Sequence, residues 1–186
     1  MRELYPNCYT EQLENGVRVI VEPIEDRPLA LGVWVRVGSR DEPAHLAGMA
    51  HFIEHMVFKG TTHRTAFQIS EEVDALGGYI NAMTHKEYTL FHIDVLPTHL
   101  EAALDILADL VKNPRFAEDD IRKEQGVVLE EIRMTEDNPQ EKVFDLFVER
   151  IWDHQHPMAR PILGKAETVR RFDRAGIFEF YRYYQP

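Results

Sequence analysis

The chain has 186 residues, of which 44% are hydrophobic and 28% charged, enough for one well-buried domain and short for two. It contains no run of about 18 apolar residues, and its first residues lack the apolar core of a signal peptide. The net charge of −11 disfavours a nucleic-acid partner, whose phosphates such a surface would repel. We therefore expect a cytoplasmic protein with neither nucleic-acid nor membrane partners; a matured organellar or exported protein is the alternative.

The first third of the chain is predicted to form β-strands. Residues 10–14 and 17–22 flank the pair Asn15-Gly16, which predicts a hairpin closed by a type I′ turn. Residues 29–37 predict a third strand. Further along, residues 79–84 and 88–96 alternate between apolar and polar side chains around a polar turn, which predicts two more strands.

The remaining segments carry helical periodicity, with Gly, Pro and Asn at their ends. The expected helices cover residues 45–58, 65–76, 98–112, 117–136, 139–152 and 167–184. Together with the strands they predict an α+β fold, with an antiparallel or mixed sheet on which helices pack. We expect residues 1–186 to form a single domain.

The segment HFIEH within the first helix carries the strongest chemical signal. His51 and His55 are four residues apart, so both imidazoles lie on one helical face and can bind one metal ion. Glu54 lies at the edge of that face, where it can reach a metal-bound water without being a ligand. A catalytic zinc ion needs a third protein ligand and an open position. His154 and His156 alternate in a loop, which disfavours a second metal site there.

The helix at residues 117–136 offers that third ligand. At about 100° per residue, Ile121, Val128 and Ile132 mark its buried stripe, and the carboxylates of Glu124 and Glu131 lie on the shoulder of that stripe. Carboxylates beside a core face are costly unless a positive charge compensates them, and a dication held by two histidines would do so. The alternative is that both are ordinary acidic residues of a solvated helix. The His motif favours the metal site.

The segments Ala50–Thr61 (AHFIEHMVFKGT) and 77–82 (GGYINA), with the downstream glutamate pair, resemble the inverzincin metallopeptidases of the pitrilysin, insulinase and mitochondrial processing peptidase group. The resemblance covers nearly the whole chain. It implies one Zn²⁺ bound by His51, His55 and Glu131, with Glu54 as the general base that activates water. It also implies that Glu124 does not bind the metal but orients a residue that does, and so tunes the site.

By the same resemblance, Asn81 and Ala82 lie on a strand that pairs with an extended peptide substrate. The alternative for Asn81 is a residue that satisfies local backbone groups. Active members of the group close a chamber with homologous domains or a partner subunit. We therefore expect this chain to be the catalytic N-terminal domain of a longer peptidase, with weak hydrolytic activity on its own. A dimer is a further possibility for its oligomeric state. The function expected is zinc endopeptidase activity on short or unfolded polypeptides. The alternatives are a non-catalytic, zinc-binding partner subunit and a hydrolase of a non-peptide bond.

Overall fold

The first three strands form a small antiparallel sheet. In this computed structural model, which describes residues 1–153 and 155–185, strands β1 (Arg2–Tyr5), β2 (Cys8–Gln12) and β3 (Arg18–Val21) lie in that order. The predicted hairpin is β2–β3, and β1 adds a strand at its edge that the sequence did not predict.

The turn of this hairpin differs from the predicted type I′ turn. A type I′ turn needs a positive φ at both central residues, but of the pair Asn15-Gly16 only Gly16 has one, at 87°. The Gly16 N–H donates to the carbonyl of Leu13, and the Leu13 N–H donates to the carbonyl of Val17. The loop is therefore one residue longer than expected, and Gly16 takes the left-handed position that such loops require.

A second antiparallel sheet holds β4 (Leu29–Val35), β6 (Thr89–Val95) and β5 (Tyr79–Thr84), in that order. Every second residue of β6 is buried, which turns one face of the sheet towards the core. The α+β class is confirmed, as two separate antiparallel sheets with helices. Strand β5 is at one edge of its sheet, and among the described residues only β6 pairs with it.

Helices account for most of the rest of the chain. They are α1 (Met49–Val57), α2 (Ala66–Ala75), α3 (Leu100–Lys112), α4 (Glu118–Asp137), α5 (Pro139–Ile151), α6 (Ala166–Val169) and α7 (Arg174–Tyr181). Helix α1 is the most central of the longer ones, because seven of its nine residues are buried. None of the helices in residues 1–153 and 155–185 is both long and apolar enough to cross a membrane.

Two predicted helices have different limits in the structure. The helix expected from residue 45 begins at Met49, because Gly48 has a φ of 96° and breaks the preceding turn. The tail helix expected over residues 167–184 is broken between α6 and α7. There Phe172 is buried against Phe52, and the Asp173 side chain accepts a hydrogen bond from the Gly176 N–H and so caps a new helix.

Candidate metal centre

The two histidines of the motif lie together on α1, as their spacing predicts. Their ring centroids are 4.5 Å apart, and the His51 and His55 side chains are 9% and 23% exposed. Burial, with the neighbouring His55, lowers the pKa of His51 to about 4, so its ring is neutral at pH 7. The neutral ring of His51 is the form of histidine that binds a metal ion.

The position of α1 is fixed at its N-terminus by Glu42. This buried carboxylate accepts hydrogen bonds from the backbone N–H groups of Gly48, at 2.8 Å, and Ala50, at 2.7 Å. It thereby pairs two donors that a helix start leaves free. Burial raises the pKa of Glu42 to about 8, against the opposing effect of the two backbone donors.

Helix α4 brings Glu131 to the histidines. Its Oε2 lies 3.7 Å from Nε2 of His51 and 3.7 Å from Nε2 of His55. Tetrahedral zinc with bonds of about 2.0–2.2 Å has ligand-to-ligand edges of about 3.3–3.6 Å, close to these separations. Oε2 of Glu131 is also buried without a hydrogen-bond partner among the described residues. The donor set of two imidazoles and one carboxylate fits a zinc ion.

Glu124 contacts the ring nitrogen of His55 that does not face Glu131. Its Oε1 is 2.8 Å from Nδ1 of His55, and its Oε2 is 2.7 Å from the Lys59 ammonium. Burial tends to raise the pKa of Glu124, but the hydrogen bonds from His55 and Lys59 outweigh it and hold the pKa below its usual value. In return, the bond to Glu124 raises the pKa of His55. With Nδ1–H donated to Glu124, the lone pair of His55 is at Nε2, the atom that faces Glu131.

Glu54 is half-buried on α1, beside His55. Its Oε2 accepts a hydrogen bond from the Thr84 hydroxyl at 2.5 Å. Burial raises the pKa of Glu54, and the bond from Thr84 partly offsets that increase. The charge of His55 lowers this pKa and that of Glu131 raises it, so the carboxylate is near two of the three candidate ligands.

Asn81 and Ala82 lie on the edge strand β5. The Asn81 amide donates to the Tyr79 hydroxyl at 2.7 Å, and its Oδ1 accepts from the Ala82 N–H at 2.9 Å. The Ala82 N–H therefore faces the open edge of the sheet rather than β6. Asn81 has the local role that the sequence left open as an alternative, on a strand edge that can also pair with a peptide.

Among the described residues, no histidine outside the motif belongs to the group that could hold a metal ion. His156 caps a 3₁₀ turn by accepting a hydrogen bond from the Met158 N–H, and its ring stacks on Trp152 at a centroid distance of 4.6 Å. His154, the other residue of that pair, lies outside the described residues.

Three residues of the centre carried no role in the sequence prediction: Glu42, Lys59 and Thr84. A signal existed for Lys59, because the carboxylate of Glu124 on the shoulder of a buried face requires a positive charge, and Lys59 follows His55 by four residues. The sequence argument assigned that compensation to the metal ion, whereas His55 and Lys59 contact Glu124 directly. Thr84 carried no signal, because its contact depends on how β5 packs on α1.

The fold and the centre together define a protein of the metallopeptidase class, with an inverted His-x-x-Glu-His helix facing a distal carboxylate. Comparison with known proteins specifies the family: the chain belongs to the insulinase family (peptidase family M16), which matches residues 18–166. An uncharacterized zinc protease of Mycobacterium leprae is 45% identical over 94% of this chain. The resemblance inferred from the motifs is thus confirmed.

Solved structures share the fold. A protease from Helicobacter pylori matches with a TM-score of 0.92 at 28% identity, over 98% of this chain and 44% of that chain. A structure described as a peptidase M16 inactive domain, from Pseudomonas fluorescens, matches with a TM-score of 0.85 over 94% of this chain and 42% of that chain, and at 21% identity it shows the fold alone. The chain spans about two fifths of the length of its relatives, 39% for the Mycobacterium leprae protein.

Proposed function

We propose that this protein is a zinc-dependent endopeptidase that hydrolyses peptide bonds of short or unfolded polypeptides. The observation that carries the proposal is the meeting of three ligand atoms, the Nε2 atoms of His51 and His55 each 3.7 Å from Oε2 of Glu131. These three residues would hold one zinc ion, and three protein ligands are the number that catalytic zinc sites use. Bound zinc supplies Lewis acidity, which acidifies water and polarises a carbonyl group.

Glu54 is the proposed general base. Its burial raises its pKa, and a carboxylate with a raised pKa is a better proton acceptor near neutral pH. In the proposed reaction its carboxylate accepts a proton from the attacking water and passes it to the amine of the departing peptide. The carboxylate is ionised again when both products have formed.

The proposed substrate binds in extended form along the open edge of β5. The Ala82 N–H on that edge is held by the Asn81 side chain, which a peptide carbonyl can replace as acceptor. Main-chain pairing of this kind is largely independent of side chains, which suits a peptidase acting on unfolded segments. On the α4 side of the centre there is also an open depression, lined by His55, Lys123, Gly126, Val127, Glu130, Glu131 and Met134.

The proposed partner is a homologous peptidase domain that closes a chamber over the centre. Helix α5 supports this, because none of its residues is buried and it exposes large apolar side chains: Val143, Phe144, Leu146, Phe147 and Ile151. An apolar helix face of this kind is typical of a surface that another domain covers. Relatives more than twice as long as this chain have room for such a domain.

Metal analysis with matched variants of the full natural protein tests the proposed function. Glu54→Gln should keep one zinc ion per chain and lose peptide hydrolysis by at least about 100-fold, because a general base contributes that much. Glu131→Gln should lose the zinc. Glu130→Gln is the control for the zinc measurement, since Glu130 is exposed on the same helix and its bonds among the described residues are to Arg133.

Two results would contradict the proposal. Hydrolysis that survives Glu54→Gln would reject Glu54 as the base. Zinc binding without any hydrolysis by the unchanged protein would instead favour the non-catalytic partner subunit, the reading left open by the sequence.

A further inference from the structure

Thr84 contacts the carboxylate that we assign as the general base. Its hydroxyl donates to Oε2 of Glu54 at 2.5 Å, and the bond is partly buried. Thr84 is the last residue of β5 and lies opposite Thr89 of β6. The bond therefore joins the helix that carries the metal motif to the strand proposed to receive the substrate.

Both the side chain and the backbone of Thr84 act on the Glu54 carboxylate. The hydroxyl donates to Oε2, and a hydrogen bond from the Thr84 backbone further lowers the pKa of Glu54. A carboxylate at the end of a flexible side chain has several rotamers of similar energy, and a short bond to a β-branched residue on a paired strand selects one of them. The orientation of the base is then set by β5 rather than by α1 alone.

The same strand holds the proposed peptide site. The Ala82 N–H lies on the open edge of β5. Thr84 follows two positions later, so its side chain is on the same face of the sheet as the side chain of Ala82. A peptide paired with β5 would thus be aligned with a base that is anchored to that strand. We propose that Thr84 is a positioning residue that fixes Glu54 relative to the bound peptide, an inference that rests on the proposed function of Glu54.

Kinetics of Thr84→Val and Thr84→Ser in the full natural protein test this proposal. Val has the shape of Thr without the hydroxyl, so we expect kcat to fall about 10- to 100-fold, the cost of a misplaced catalytic group, with KM and zinc content unchanged. Ser restores the hydroxyl and should return kcat to within about threefold of the natural value by the same argument. A crystal structure of Thr84→Val should show the Glu54 carboxylate in another rotamer.

Thr89→Val is the matched control. The Thr89 hydroxyl is buried one strand away and donates to the carbonyl of Val37 at 2.9 Å, so its loss should lower the melting temperature and leave kcat nearly unchanged. If Thr84→Val does not fold, Thr84→Ala takes its place. An unchanged kcat in Thr84→Val, or a Glu54 carboxylate that stays in place, overturns the inference. Hydrolysis that persists in Glu54→Gln would instead overturn the proposed function beneath it.

Discussion

At the scale of single residues, the contacts of Glu124 show how the chain keeps a negative charge behind the metal centre. The side chain is 5% exposed, and its two oxygens bond to different partners, His55 and Lys59. A buried carboxylate without such partners would take up a proton and would no longer orient the imidazole. Lys59 therefore acts on the metal centre through two intermediates, Glu124 and then His55.

Substitution of Lys59 tests this chain of contacts. Lys59→Met keeps most of the aliphatic side chain and removes the charge, so Glu124 loses its ionic partner and its hold on His55 weakens. We expect the dissociation constant for zinc to rise about 10-fold, the lower end of what loss of an outer partner costs. Competition with a chelator of known affinity measures it.

Lys123→Met serves as the control for that measurement. Lys123 is on α4 near the same depression, but its side chain is 76% exposed and its ion pair is with Asp120, 3.7 Å away. Removal of its charge should leave zinc affinity unchanged. Equal affinities in the Lys59 and Lys123 variants would show that Glu124 needs no cation to hold His55.

At the scale of helices and strands, the parts of the centre that periodicity controls could be predicted from the sequence. The spacing of His51 and His55 set their common face. The wheel of α4 placed Glu124 and Glu131 on the shoulder of the buried stripe and Glu130 towards solvent; in the structure Glu124 is buried, Glu131 half-buried and Glu130 exposed. The true start of α1 could not be predicted, because it depends on a left-handed Gly48 and on the carboxylate of Glu42. Contacts between distant segments carry no local pattern.

Another contact between elements ties α3 to the loop that follows α1. Asp109 of α3 is buried and accepts hydrogen bonds from Thr61 at 2.6 Å, His63 at 2.7 Å and Arg64 at 2.9 Å. Arg64 also pairs with Glu72 of α2 at 2.9 Å. The carboxylate thus links three elements next to the helix that carries the metal motif.

Asp109→Asn should destabilise the protein by about 2 kcal/mol at pH 7, because the hydrogen bonds to a buried carboxylate weaken and the partly buried Arg64 loses one of its three acidic partners. Asp105→Asn is the matched control: Asp105 pairs with the same arginine, but its side chain is 69% exposed. That variant should lose less than about 1 kcal/mol. Urea unfolding followed by circular dichroism measures both free energies, and similar values would contradict the assigned role of Asp109.

The stabilisation by Asp109 should also depend on pH. Burial opposes ionisation, but the hydrogen bonds from His63, Thr61 and others outweigh it and hold the pKa of Asp109 below its ordinary 3.8. A carboxyl with a lowered pKa in the folded state stabilises above its unfolded pKa, and this stabilisation is lost as the pH falls through the folded value. The free energy of unfolding should therefore decline more steeply below about pH 4 in the natural protein than in Asp109→Asn.

At the scale of the whole molecule, helices α1 and α5 differ in what covers them. Helix α1 is enclosed by the second sheet, α4 and α7, and its Phe52 is 0% exposed. Helix α5 follows α4 directly, yet Phe144 and Phe147 are 64% and 59% exposed. The sequence predicted that α5 would be a helix. Periodicity alone, however, does not say whether an apolar stripe packs on the core of its own domain or on the surface of a second domain.

A pair of phenylalanine substitutions separates these two cases. Phe52→Ala removes a fully buried ring and should cost about 3–5 kcal/mol of the free energy of unfolding, because a cavity replaces it. Phe147→Ala should cost less than about 0.5 kcal/mol in this chain, since an exposed ring gives up little on removal. With the proposed partner domain present, the same Phe147→Ala should cost clearly more, because that domain would bury the ring on α5. Equal and small losses in both forms would mean that α5 stays in solvent and that the chamber closes over another face.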